Sequence, residues 1–372
     1  MKMLIEKNIL MEGINAVSKA LSTRNIVPVL NGIKFDLKEE GLYLTATDND
    51  ITIQYFIDKK DIKNIENTGC IIIYGKSLLE IVRKLPNTDI LIENFESYEV
   101  SFKTENAIYN FNCFNLDDFP KINLEEVKNP INVNSSVLKE LINKTSFACS
   151  LQESRPLLTG VNIKILGEQF ECVATDSYRL AKITYTLDKL YEENINIVIP
   201  AKNINELIKI INDDTEVEMH VFSNKVLFKF NNIIYQTSLL NGKYPNTDNS
   251  IAKEFQYILK TNLKDFYNTL DRAALLTQSK DKNIIDMEIN GNTVLIKASS
   301  LEMGKVEEKL IVDNQTNNNL KISFSAKYML EALKMFDKEE IYLLLNGEVN
   351  PIILKEIENE NLIQLILPMK TY

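Results

Sequence analysis

Three stretches decide the fold: YGKSLLEIVRKL at 74–85, IPAKNINELIKII at 199–211 and FSAKYMLEALKMF at 324–336. In each, a lysine opens a helical pattern, at Lys76, Lys202 and Lys327. The intervals are 126 and 125 residues, against 124 for one third of the 372-residue chain. Repetition at a fixed period marks one supersecondary design used several times. The chain therefore reads as three tandem domains, expected at 1–128, 129–251 and 252–372. A tandem array of equal parts is able to curve around something.

Other landmarks keep the register. Asn31-Gly32-Ile33 and Thr159-Gly160-Val161 stand 128 apart, and Ile285-Asp286-Met287 follows 126 later. Ala46-Thr47-Asp48 and Ala174-Thr175-Asp176 are also 128 apart, with a decayed third copy at Ala298-Ser299-Ser300. Phe119-Pro120 and Tyr244-Pro245 lie 125 apart, each shortly before an expected boundary.

Within the first repeat the hydrophobic period alternates between 2 and 3.6. It predicts a strand at Met3–Glu6, a helix from Asn8 to Leu21, and strands at Val29–Leu37, Leu42–Ala46 and Ile51–Ile57. The order then restarts with a strand at Cys70–Tyr74 and a helix at Lys76–Leu85. Strands at Ile90–Asn94, Glu99–Lys103 and Ala107–Phe114 follow. Each domain is thus expected to hold two βαβββ units, an α+β design. The helices are apolar on one side only, as in Ile204, Leu207, Ile208 and Ile211. Such a helix lies on sheet with that side and turns the other to solvent.

The six expected helices cover 8–21, 76–85, 136–148, 201–211, 262–276 and 326–336. Their basic residues are Lys19, Lys76, Arg83, Lys84, Lys139, Lys144, Lys202, Lys209, Lys264, Arg272, Lys327 and Lys334. Against these twelve stand seven acids, a net of +5, which leaves −15 for the remainder of a chain whose total is −10. A charge run on one helix is usually a solvated face. The same sign on repeated helices points instead to a basic surface inside an acidic shell, which attracts a polyanion to one place. Lysine contacts to phosphate bind duplex DNA without regard to sequence.

Hydrophobic residues make up 45% of the chain, enough for a core in each domain. No apolar run reaches the roughly 20 residues of a membrane helix. MKMLIEKNILMEG carries acids and no apolar signal core. Cys70, Cys113, Cys149 and Cys172 show no ligand or disulfide spacing, which reads as reduced thiols in the cytoplasm.

The whole chain resembles the bacterial DNA polymerase III beta subunits, the replication sliding clamps. The resemblance is carried by Ile26-Val27-Pro28-Val29-Leu30-Asn31-Gly32, Ala174-Thr175-Asp176-Ser177-Tyr178-Arg179-Leu180-Ala181, Asn241-Gly242-Lys243-Tyr244-Pro245 and the tail Leu367-Pro368-Met369-Lys370. It implies three repeats of the DNA-clamp fold and a head-to-tail homodimer. In that ring, helices line the hole, duplex DNA threads through it, and sheets run outside. By resemblance, the subunit interface joins Tyr109 and Phe111 on a domain 1 edge strand to Leu275 and Leu276 in domain 3. A hydrophobic groove between domains 2 and 3 would contain Leu158, Thr175, Ser177, Tyr178, Arg179, Leu180, Pro245, Leu365, Leu367, Pro368 and Met369. Its implied occupants are short peptides of the replicative polymerase, the clamp loader, repair polymerases and mismatch-repair proteins. Leucine, proline and methionine make an adaptable apolar slot, with Arg179 expected at the rim to hold a carbonyl or carboxylate. Arg24 matches a DNA-contacting loop arginine. Two departures stand out: Ser177-Tyr178 replaces a Gly-His found in some members, and Thr371-Tyr372 extend the tail, so that Tyr372 is placed to cover or lengthen the groove.

Enzymatic readings fare poorly. Gly75-Lys76-Ser77 lacks the upstream glycine spacing of a phosphate-binding loop, because Cys70–Tyr74 is a strand. Asp48 and Asp176 suit turns in separate domains rather than a catalytic pair. His220, the only histidine, alternates with Glu218 and Phe222 and is expected at the surface. No cofactor or metal is implied. Two non-enzymatic readings compete: a clamp that encircles DNA, and a peptide-binding scaffold of the same repeats that does not.

Overall fold

In the computed structural model, the described residues are 1–21, 27–96, 98–277, 283–300, 303–316, 318–357 and 359–369. Six helices recur at the expected places: α1 (Lys7–Val17), α2 (Gly75–Lys84), α3 (Ser135–Ser146), α4 (Ala201–Ile210), α5 (Leu263–Ala274) and α6 (Ala326–Leu333). Each strand–helix junction has its own chemistry. Asn262 accepts the Asp265 N–H at 3.0 Å ahead of α5, Ser325 takes the Tyr328 N–H ahead of α6, and Asn134 takes the Ser136 N–H at 2.9 Å in α3. These side chains satisfy donors that the first turn leaves open. α1 and α2 start without a side-chain cap and rely on their buried faces.

Chain contacts gather the residues into two compact units, Met1–Leu138 with Lys202–Leu239, and Lys139–Ala201 with Leu240–Tyr372. The first unit holds two sheets. A five-stranded one runs in the order Ile62–Asn67, Lys2–Glu6, Asp89–Glu96, Glu99–Lys103, Ile108–Asn112. An eight-stranded one runs Ile131–Asn134, Glu216–Val221, Lys225–Phe230, Ile233–Ser238, Ile51–Asp58, Gly41–Thr47, Gly32–Leu37, Gly69–Tyr74. Its central joint pairs Ile233 with Tyr55 and Thr237 with Ile51, so strands of the first two sequence repeats share one sheet. α1 buries Leu10, Gly13, Ile14 and Val17. A Cβ at Gly13 would stand 2.7 Å from Leu44 and 3.0 Å from Tyr55, so this glycine sets how closely helix and sheet approach.

The second unit repeats the scheme. Its seven-stranded sheet runs Gly160–Thr175, Arg179–Pro200, Leu362–Ile366, Ile352–Glu356, Glu340–Leu345, Tyr257–Asn262, Asp313–Asn314. Here Arg179 pairs with Ile366 and Ile183 with Leu362, joining the second and third repeats by main-chain hydrogen bonds. A four-stranded sheet runs Gly304–Ile311, Thr293–Ser300, Ile284–Asn290, Leu320–Ser325, and α5 packs on it. Within each unit two helices pack side by side, α1 on α2 and α5 on α6. No helix among the described residues is long and apolar enough to cross a membrane.

Several local expectations change. The strand expected at Val29–Leu37 begins only at Gly32, because Pro28 opens a 3₁₀ turn over Pro28–Asn31. The helix expected to reach Leu21 ends at Val17 and tightens into a 3₁₀ turn, as does α5 at Leu275–Thr277. α6 stops at Leu333 rather than Phe336. An additional strand, Ile62–Asn67, pairs with Lys2–Glu6. Its alternation is weak, with only Ile62 fully buried, so periodicity gave no sign of it.

Glu93 shows how the five-stranded sheet holds its one well-buried carboxylate. Lys103 stands 2.7 Å from it and Lys2 3.3 Å, and the Lys103 hydrogen bond holds its pKa below the usual range. Its ordinary value is about 4.3. A depressed folded pKa stabilises above the unfolded value and is lost as pH falls through the folded one. Glu93→Gln is therefore expected to lower the melting temperature at pH 7. The gap from wild type should close below about pH 4, as followed by circular dichroism.

Candidate functional site

Of the residues expected to form a groove, Leu158, Leu180, Leu365 and Leu367 meet in one hydrophobic cluster of the second unit. Leu158, Val173, Leu180, Val198, Tyr244, Leu344, Ile353 and Leu365 are buried together, with Leu157, Leu240 and Leu367 packed against them. Leu180 and Leu365 come together because they are register partners across the joint between strands. Pro368 and Met369 are half-buried, and Pro245 is exposed. Met369 donates its N–H to the Ser323 carbonyl at 2.7 Å, and Leu367 donates to Tyr178 at 2.9 Å, which lays the tail along the cluster. Lys370 and Tyr372, and with them the expected cover by Tyr372, lie outside the described residues.

Tyr244, which the motif Asn241–Pro245 contains, was not among the expected groove residues, unlike Pro245. Tyr244 is buried, and its hydroxyl accepts the Thr175 N–H at 3.2 Å. Burial raises this phenol above its ordinary range. Gly242 has φ +132°, and a Cβ there would stand 2.9 Å from Leu157.

Arg179 takes a different role from the expected one. Rather than standing at the rim for a ligand, it is 9% exposed and committed to its own chain. Its Nε donates to Asp176 at 3.1 Å, one terminal nitrogen donates to Glu331 on α6, and the other donates to the Phe147 carbonyl at 2.7 Å. The rings of Phe147 and Tyr328 flank the guanidinium at 5.2 and 4.6 Å. Tyr178, 51% exposed, stacks on Tyr328 with centroids 6.5 Å apart. Ser177 has φ +76° and accepts from Arg155 at 2.9 Å, while Thr175 Oγ1 accepts the Ser177 N–H at 3.1 Å. Arg179, Phe147, Tyr328 and Tyr178 thus form one stack of cation and aromatics, with Tyr178 at its exposed end.

The basic helical residues divide into two sets. Lys76, Arg83, Lys84, Lys202, Lys264, Lys327 and Lys334 are exposed, and Lys334 also lies 5.9 Å from the Tyr267 ring centroid. Three others are already neutralised. Lys144 is 12% exposed between Glu140 at 2.8 Å and Asp337 at 2.7 Å; Lys209 meets Glu206 at 2.8 Å; Arg272 grips both oxygens of Glu308. Lys139 is half-buried. Arg24 lies outside the described residues.

Of the expected interface residues, two lie on an edge strand, and Leu275 and Leu276 lie in the 3₁₀ turn after α5. Tyr109 and Phe111 are half-buried on the edge strand Ile108–Asn112, with Phe111 edge-on to Phe102 at 5.2 Å. Leu275 is 59% exposed, and Leu276 is half-buried. Gly304–Ile311 is likewise an edge, with Ile311 65% exposed.

His220 corrects the sequence reading: it is 1% exposed, not at the surface. Segment 123–127 covers it, with the Val127 N–H donating to Nδ1 at 3.1 Å. Glu126, Glu218 and His220 bring ligand atoms within 4.8 Å of one another. A metal-binding histidine normally donates through its second nitrogen. Here that nitrogen accepts, and Lys229 holds both oxygens of Glu126 at 2.8 Å, so the cluster pins the segment rather than a metal. The thiols are quiet as well. Burial pushes Cys113 up to about 11 and Cys149 up to about 12, leaving little thiolate at neutral pH.

Comparison with known proteins gives one consistent result. The chain matches the DNA polymerase III beta subunit over its N-terminal domain (residues 1–124), central domain (132–246) and C-terminal domain (249–370). It is 37% identical to the beta sliding clamp of Bacillus subtilis and 36% to that of Halalkalibacterium halodurans, with all of each chain covered. The crystal structure of the B. subtilis clamp superposes with a TM-score of 0.96 over the full length of both chains, at 36% identity. The beta subunit of Streptococcus pyogenes superposes at 0.94, with 30% identity and both chains fully covered.

Proposed function

The chain belongs to the DNA polymerase III beta subunit family, the beta sliding clamps that confer processivity, and on that premise we propose how its surfaces divide the work. It is a non-catalytic processivity subunit built of three tandem clamp domains. We place the domain boundaries near residues 128 and 251. Two copies join head to tail into a closed ring around duplex DNA in the cytoplasm. Exposed Lys76, Arg83, Lys84, Lys202, Lys264, Lys327 and Lys334 face the phosphates. Their mobile ammonium groups favour sliding, because they hold charge without holding sequence.

The observation that carries the ring is the fate of the sheet edges. Successive repeats are joined by paired strands, Ile233–Ser238 to Ile51–Asp58 and Arg179–Ile183 to Leu362–Ile366. The five- and four-stranded sheets each have an edge strand that carries an exposed isoleucine, Ile108 on Ile108–Asn112 and Ile311 on Gly304–Ile311. An open apolar edge invites a strand from another chain. Pairing these two across subunits is heterologous, and a heterologous contact closes into a ring when its rotation permits. Tyr109, Phe111, Leu275 and Leu276 would pack beside that joint.

The groove around Leu158, Leu180, Leu365 and Leu367 then serves as the docking site for apolar peptides of the replicative polymerase, the clamp loader and repair proteins. With a cognate loader on primed circular DNA, the protein is expected to lengthen polymerase products from short tracts to full circles. Products of unchanged length with a loaded clamp would overturn the tethering role.

A further inference from the structure

A concavity lies in the first unit, on the face of the eight-stranded sheet opposite α1. Along the eight-stranded sheet, Lys34 is the register partner of Thr45, and Thr45 of Gln54. This row faces away from α1, since Leu44 and Tyr55 form the alternate face that meets Gly13. Gln54 donates to Thr45 at 3.1 Å. The segment from Leu116 to Leu124 passes over the row and encloses a cavity of about 550 Å³, within the usual range of small-molecule sites.

That roof is anchored at both ends. Phe119 is buried with Val29, Leu30 and Ile72. Further on, Lys225 donates to the Asn123 carbonyl at 2.6 Å, and Val127 is tied to His220. The cavity is therefore preformed rather than a fold in a loose strand.

Its charges are what identify a ligand. The Lys34 ammonium is half-buried over the Phe119 ring, 5.9 Å from the centroid. Among the described residues no carboxylate lies within ion-pair distance of Lys34, and no cation within that of Asp36. Lys34 and Asp36 are two residues apart on one strand face, about 7 Å. Lys121 and Asp117 add one charge of each sign at the exposed mouth. A lone anion would meet two carboxylates there, and a metal ion two ammonium groups. An uncharged apolar body would leave Lys34 and Asp36 desolvated without compensation.

We propose that this cavity binds a short apolar zwitterion of dipeptide size. Its carboxylate meets Lys34, its ammonium meets Asp36, and its aliphatic part lies under Leu116, Ile122 and Leu124. The assignment stands apart from the clamp reading, because none of these side chains belongs to the groove, the basic helices or the open edges.

The test uses the full-length protein and leucyl-leucine as probe, titrated by calorimetry. N-acetyl-leucyl-leucine, which lacks the ammonium, and leucyl-leucine amide, which lacks the carboxylate, serve as partners. The free dipeptide is expected to bind about tenfold more tightly than either blocked form, one ion pair being the difference. Asp36→Asn should remove its advantage over the acetylated form alone, and Lys34→Met its advantage over the amide alone. Equal binding of the three probes, variants that behave as wild type, or no saturable binding at millimolar concentration would each overturn the proposal.

Discussion

Leu275→Asp is expected to leave the chain folded but monomeric. Light scattering should return the 42.7 kDa of one chain instead of twice that mass. Leu275 is 59% exposed in the single chain, so a carboxylate there meets water and costs the fold little. In the proposed ring the same carboxylate would be buried against the partner's edge strand. Removing an unpaired charge from water costs several kcal/mol, enough to shift a dimer constant by about three decades. Retention on circular DNA should vanish with it. A variant that stays dimeric would place the joint elsewhere.

Arg179→Ala is expected to damage the groove more than any change to its apolar lining. The guanidinium makes three hydrogen-bonded contacts and lies between two rings. Removing it takes the cation from Asp176, which is 11% exposed and keeps only the Tyr178 and Arg179 N–H groups, while Glu331 at 34% exposure regains water. Breaking a buried pair costs about 3–5 kcal/mol, and the partial exposure of Glu331 argues for about 3. Urea unfolding measures this directly. Peptide affinity should fall at least about tenfold, because Tyr328 loses the cation beneath it and with that the support on which exposed Tyr178 stacks. Arg179→Lys should recover little, since an ammonium matches neither the fork of acceptors nor the rings. A variant of wild-type stability and affinity would show the stack to be incidental.

How legible the molecule is from its residues depends on the range of each interaction. The six helices declared themselves through one-sided apolar spacing, whereas Leu180 and Leu365 were named only through the resemblance, because they meet as register partners of strands far apart in the chain. What escaped depends on distant partners. His220 alternates with Glu218 as a surface strand residue would, but the segment that covers it lies 93 positions upstream. The i,i+3 spacing of Asp176 and Arg179 is visible in sequence, whereas Glu331 is 152 positions away. That separation turned an expected rim residue into an internal brace. Lys144, read as a free helical cation, is held by Asp337, 193 positions downstream. Charge counting finds the sign of a helix face, but distant acids decide how much of it remains available.

The central claim is topological: residence on DNA is set by ring opening rather than by contact strength. It is tested most directly by loading the protein onto nicked circular DNA, washing in molar salt, and then cutting the circle. Lysine–phosphate contacts alone weaken steeply with salt. The predicted result is protein retained through the wash and released on linearisation. Loss during the wash, at the same rate from circular and linear DNA, would contradict the account.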